Sequence, residues 1–141
     1  MFGSNRVGVL LATVLVGLAA LGGMAGCEDD EKLAPSQELL ERLFEAGFSI
    51  ERDQVRAGPV NQMLDYVTSE CYRAYHHPTE MFLCFHHFKT GIKAREARVA
   101  LDRRRWPPGR YWATKARGRS VVLVDAQIKD RPVANKLIRF F

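Results

Sequence analysis

From Val7 to Gly26 the chain carries no charged side chain. That absence excludes an ordinary solvated surface segment and leaves an export signal or a membrane span. Carboxylates are scarce at the other end, where Glu96, Asp102, Asp125 and Asp130 are the only acidic residues after position 88. Cysteine occurs three times, as Cys27, Cys71 and Cys84, and no two of these are spaced as a C-x-x-C redox motif. There is no HExxH-type helix, no phosphate-cradling glycine loop and no Ser-His-acid pattern along the chain. Internal repeats and low-complexity segments are absent too. With none of these, an enzyme is not expected, nor is a cofactor.

What is present begins with an address. Arg6 supplies a short basic n-region before the apolar run, and the run ends in Met24-Ala25-Gly26-Cys27. This tetrad resembles the lipobox of bacterial lipoproteins, in which a large apolar residue and two small ones precede an invariant cysteine. The resemblance implies cleavage before Cys27, diacylglycerol on its thiol and acylation of the new amino group. Residues 1–26 then form a signal peptide. The rival is an uncleaved single-pass anchor, since about 20 apolar residues span a bilayer. Either way the acidic run Glu28-Asp29-Asp30-Glu31 lies just past the apolar stretch and Arg6 before it, which places the body outside the cytoplasm. In a host with two membranes, aspartate after the acylated cysteine retains lipoproteins at the inner one. Glu28 instead favours the outer membrane, facing the periplasm.

Residues 27–35 read as the acylated cysteine and a polar tether ending in Pro35, and residues 36–141 as a single domain. Ser36 is placed to cap a helix over 37–46, with Leu39, Leu40, Leu43 and Phe44 at helical spacing and Gly47 closing it. Phe48 and Ile50 alternate as a short strand. Val60, Met63, Leu64 and Val67 predict a helix opening at Pro59, with a loop into a strand as the rival. From Glu70 to Phe88 an aromatic hairpin turns at His76-His77-Pro78-Thr79. Pairing Tyr75 with Glu80 sets Cys71 across from Cys84, within disulfide range, and an oxidising compartment would bond them.

A further helix is expected from Thr90 to about Arg105, with Ala94, Ala97 and Leu101 on one face. Trp106-Pro107-Pro108-Gly109 stops it. Strands Tyr111–Arg117 and Ser120–Ala126 follow, and the unbroken Val121-Val122-Leu123-Val124 belongs at the centre of a sheet. Asp130 is expected to cap a last helix lined by Ala134, Leu137, Ile138 and Phe141. The fold class is α+β: a small, largely antiparallel sheet built from two hairpins, with helices packed mainly on one face.

The stretch Leu39–Gly47 with its strand, the aromatic strand 81–88 running into the helix 90–101, and the Arg117–Val124 hairpin with its closing helix are together similar to a group of small bacterial lipoproteins of unknown function. The resemblance implies a shared address and fold, and no active site. Phe85-His86-His87-Phe88 departs from that group, standing where a tyrosine-rich stretch is expected.

Charge divides the chain: residues 28–88 carry 12 acidic and 5 basic side chains, a net of −7, whereas residues 89–141 carry 4 acidic and 15 basic, a net of +11. Arg103, Arg104, Arg105, Arg110, Lys115, Arg117 and Arg119 are the expected anion-binding set, if they share a face. Arginine forks suit phosphates and carboxylates, so a lipid headgroup, a cell-wall polymer or an acidic protein is the expected partner, besides the membrane that holds Cys27. Nucleic acid is not expected outside the cytoplasm. The plainer alternative is a solvated face that offsets the acidic half. His86 and His87 are the second candidate, as metal ligands. Neighbours on a strand point to opposite faces, which weighs against one shared ion and for a hydrogen-bonded, partly buried ring.

Overall fold

The computed structural model describes residues 31–54 and 68–141. The leader, Cys27 and the helix expected from Pro59 lie outside the described residues. Ser36 opens helix α1, Gln37–Glu45, by accepting a hydrogen bond from the Leu39 N–H at 3.2 Å. Its C-terminus closes with Gly47 at φ +88°, a left-handed conformation that suits glycine. The Gly47 N–H bonds to the Phe44 carbonyl and the Phe48 N–H to the Leu43 carbonyl, each at 2.9 Å. That closure buries Leu43 beside Phe48 and feeds the chain into strand β1, Ser49–Asp53. Phe44, expected on the same stripe, is instead 75% exposed.

Strands β2, Thr68–His76, and β3, Thr79–His87, form the aromatic hairpin. Tyr75 pairs with Glu80 and Cys71 with Cys84, as the sequence predicts. The turn is tighter than the expected four residues, because His76 also pairs with Thr79 and leaves His77-Pro78 alone at the tip. Helix α2, Gly91–Asp102, is capped by Thr90, whose hydroxyl accepts from the Lys93 N–H at 3.2 Å. It ends three residues before Arg105, where Trp106-Pro107-Pro108 rules out further helix. Strands β4, Arg110–Arg117, and β5, Ser120–Gln127, make the second hairpin, and the closing helix α3 spans Arg131–Ile138. Asp130 does not cap α3. A short 3-10 turn, Ile128–Asp130, takes it out of the extended conformation a cap needs, and its carboxylate accepts from the Thr79 hydroxyl at 3.1 Å instead.

The strands form one antiparallel sheet in the order β1-β2-β3-β5-β4. β5 lies between β3 and β4, and Val121, Val122, Leu123 and Val124 are fully buried on its two faces. This α+β arrangement puts two of the three helices on one face. There α1 and α3 cover Met81, Leu83, Phe85, Val122, Val124 and Ala126, with Leu43, Ala134, Leu137 and Phe141 facing down. On the other face α2 rests Ala94, Ala97 and Leu101 against Val121, Leu123 and the two cysteines. Small side chains bring that helix close to the strands. No described helix is long and apolar enough to cross a membrane.

Candidate functional site

The sheet register assembles a polar cluster at the end where β3, β5 and the entering chain meet. His87 on β3 pairs with Ser120 on β5, and Glu70 on β2 pairs with Phe85, two residues from His87. Alternation along β3 gives Phe85 and His87 the same face. The Leu33 N–H donates to Ser120 Oγ at 2.9 Å, and the same oxygen lies at hydrogen-bond distance, 2.7 Å, from His87 Nδ1. His87 Nε2 faces the Glu70 carboxylate at 3.5 Å, and Lys32 Nζ stands 3.9 Å from that carboxylate's other oxygen. Burial holds the His87 imidazole below its ordinary pKa; Lys32 and Arg119 push the same way and Glu70 opposes them.

Serine, histidine and carboxylate therefore do meet, although no such pattern runs along the sequence. Ser120 is fully buried and its oxygen holds the backbone of Leu33. With the Arg119 N–H donating to the Glu31 carbonyl at 3.0 Å, the cluster clamps residues 31–33 onto the β4–β5 turn. The free tether expected to run to residue 35 is correspondingly shorter, because backbone groups at 31 and 33 find partners on the domain.

Histidine 86, one residue earlier, points to the opposite face, among Cys84, Val121 and α2. Burial, then the neighbouring His87 ring, pushes its pKa down to about 4. His86 and His87 therefore cannot hold one ion between them. His76 stacks on Phe48 with ring centroids 4.7 Å apart, and His77 is exposed at the hairpin tip. Among the described residues no group of three or more His, Cys, Asp or Glu is placed to hold a metal.

The seven expected anion-binding residues do not converge. Alternation along β4 sends Arg110 to the face of α2 and Lys115 and Arg117 to the face of α1 and α3. Arg110 is also spent within the fold, since Nε and Nη2 each lie 2.8 Å from Asp125 Oδ1. Arg117 Nη1 donates to the Phe141 carbonyl at 3.5 Å. It lines a cleft of about 540 Å³ with Lys32 and Arg42, where Glu31 and Glu38 offset the positive charge. Arg103, Arg104 and Arg105 are exposed together beyond the C-terminus of α2.

Cys71 and Cys84 are joined by a disulfide across β2 and β3, with Cα atoms 4.1 Å apart and a sequence separation of 13. The bridge closes a short loop that the hairpin already holds. Its removal is expected to cost about 3 kcal/mol through the entropy returned to the unfolded chain. Thermal melting with and without reductant, set beside a Cys71→Ser, Cys84→Ser double variant, measures that loss; identical curves would refute it.

Neither the clamp nor the arginine cluster could be recognised by likeness: no protein-family model, curated protein or solved structure matches this chain.

Proposed function

We propose that this chain is an exported lipoprotein of the bacterial envelope, anchored through lipid on Cys27. In this reading it is non-catalytic and contacts an anionic surface through its basic C-terminal half. The observation that carries the reading is the disulfide between Cys71 and Cys84. Such bridges persist in oxidising compartments and are rare in a reduced cytosol. It therefore agrees with the apolar leader and the Met24-Ala25-Gly26-Cys27 tetrad, which are independent features of the sequence. The burial of Ser120 supports a non-catalytic role, because the one serine–histidine–carboxylate group among the described residues serves as a clamp.

The clamp also gives the anchor a direction. Glu31 lies four residue steps beyond Cys27, a span of at most about 14 Å when extended, so the lipid would hold the β4–β5 turn close to the membrane surface. Of the seven expected anion-binding residues, Arg103, Arg104 and Arg105 are adjacent and exposed, which suits contact with an anionic surface. Intact-mass measurement of protein from membrane fractions tests the reading. A chain beginning at Cys27 and heavier by its acyl groups is expected, and a Cys27→Ser variant should keep its leader and gain no lipid. Full-length, unmodified protein found in the cytosol would end it.

A further inference from the structure

The cleft beside the entering chain is built by stretches that lie far apart in sequence: residues 31–34, helix α1, and the end of β4 with the closing residues Phe140 and Phe141. Its volume of about 540 Å³ is that of a small-molecule site. The charges along it nearly balance. Arg42 and Arg117 bring two guanidinium groups and Glu31 and Glu38 two carboxylates, while Lys32 is shared with Glu70, 3.9 Å from its ammonium. A purely anionic ligand gains from the guanidinium groups and is repelled by the carboxylates. A ligand with a negative and a positive group close together meets both. Arg42 lies over the Phe140 ring, 6.0 Å from its centroid, and Arg117 Nη1 donates to the Phe141 carbonyl at 3.5 Å, which uses one of the several N–H groups of that guanidinium. Planar forks of this kind match the oxygens of a phosphate. Leu33, Leu39 and Phe140, each partly buried against the core, add apolar surface beside the charges.

Position favours a phosphate over a carboxylate as the negative group. The wall formed by residues 31–34 follows a few residues after Cys27, and the Arg119 N–H pins it to the β4–β5 turn through the Glu31 carbonyl. A chain anchored at Cys27 carries this opening among lipid headgroups. We infer that the cleft binds a phosphoethanolamine group, with the phosphodiester against Arg42 and Arg117, the primary ammonium against Glu31 and Glu38, and the adjoining glycerol and first acyl carbons on Leu39 and Phe140. The membrane lipid phosphatidylethanolamine and the free ester glycerophosphoethanolamine share this headgroup, and the apolar lining favours the lipid. The site is separate from the proposed contact through Arg103–Arg105; only the membrane as source of the ligand rests on the lipid-anchored reading.

The full chain in maltoside micelles, titrated with dihexanoyl phosphatidylethanolamine and followed by backbone amide NMR shifts, supplies the test. Shifts at Leu33, Arg117, Gly118 and Phe140 should saturate. Half-saturation should come at a concentration roughly 10-fold lower than with dihexanoyl phosphatidylglycerol, which lacks the ammonium, or dihexanoyl phosphatidylcholine, whose ammonium has no N–H to donate. Glu38→Gln should reduce that preference and leave the phosphatidylglycerol response in place, whereas Arg117→Gln should weaken binding of all three lipids roughly 10-fold. Both positions are exposed, so the fold is retained in either variant. Glycerophosphoethanolamine is the arm without acyl chains: weaker binding than the lipid assigns the cleft to the membrane, equal binding assigns it to the free ester, and the headgroup chemistry stands in both cases. An equal response to the three lipids, or none, overturns the inference. Tighter binding of alanyl-alanine, a zwitterion with a carboxylate in place of the phosphate, would give the cleft to peptides and overturn it as well. The titration reads the cleft whether or not Cys27 carries lipid, and the intact mass of the same sample reports the anchor, so the two readings fail separately.

Discussion

Replacing Phe85 with alanine is expected to cost the domain about 3–5 kcal/mol, a large part of the roughly 5–15 kcal/mol that a domain of this kind has to lose. Phe85 is fully buried on β3, where alternation along the strand directs it to the face under α1 and α3. Its ring meets Tyr72 and Phe141 edge-on, with centroids 5.8 and 5.4 Å away. Truncation removes both contacts and opens a cavity between the sheet and the end of the chain, and neither backbone-bound strand neighbour can move in to fill it. Urea unfolding should show a lower midpoint with an unchanged slope. Phe44→Ala is the control: the same chemistry at a 75% exposed position should change stability by about 0.5 kcal/mol or less. A Phe85→Ala variant as stable as the Phe44→Ala one would mean that the core is not where it has been placed.

Acid is expected to weaken the fold through its two buried histidines. The His86 pKa falls from 6.5 in the unfolded chain to about 4 in the folded one, and the His87 pKa is lowered as well. Above pH 6.5 both rings are neutral in both states, and stability is at its full value. As the pH drops below 6.5 the unfolded chain takes up protons that the folded chain refuses, so stability declines. The decline through His86 is complete only near pH 4, by which point it amounts to about 3 kcal/mol. His87, buried beside the same serine and likewise held below its ordinary pKa, adds to the loss in the same direction. Denaturant titrations at pH 7 and pH 4 measure the loss, and a His86→Gln variant should show a much smaller one. Equal stability at the two values would show that His86 is not shielded from water.

The acid response has a bearing on the envelope reading. Were Cys27 lipidated, the clamp joining residues 31–33 to the β4–β5 turn would limit the distance between lipid and domain, and His87 sits in the middle of that clamp.

Much of the architecture was legible in the sequence because it depends on neighbours a few residues apart. Ser36 and Thr90 cap their helices, Gly47 turns α1 into β1, and the paired prolines after Trp106 end α2, all through contacts within one turn of chain. The cysteine pairing was legible for the same reason: a hairpin fixes its own register, so Tyr75 opposite Glu80 carries Cys71 to Cys84. The unbroken Val121–Val124 run needed apolar cover on both faces and could lie nowhere but inside the sheet. Less was legible of the candidate site. Alternation along β4 does separate Arg110 from Lys115 and Arg117, but the carboxylate that engages Arg110 belongs to another strand and depends on the pairing of Trp112 with Asp125.

By itself, the sequence determined the described helices and strands to within a few residues, the cysteine pairing, and the contrast between an acidic first half and a basic second half. The tertiary structure alone decided that α2 lies across the sheet from α1 and α3, that Ser120, His87 and Glu70 meet, and that Leu33 is held by them. Those contacts join β2, β3, β5 and the entering chain across tens of residues. No local spacing encodes them, because they exist only once β5 has inserted between β3 and β4 and burial has fixed which residue faces which.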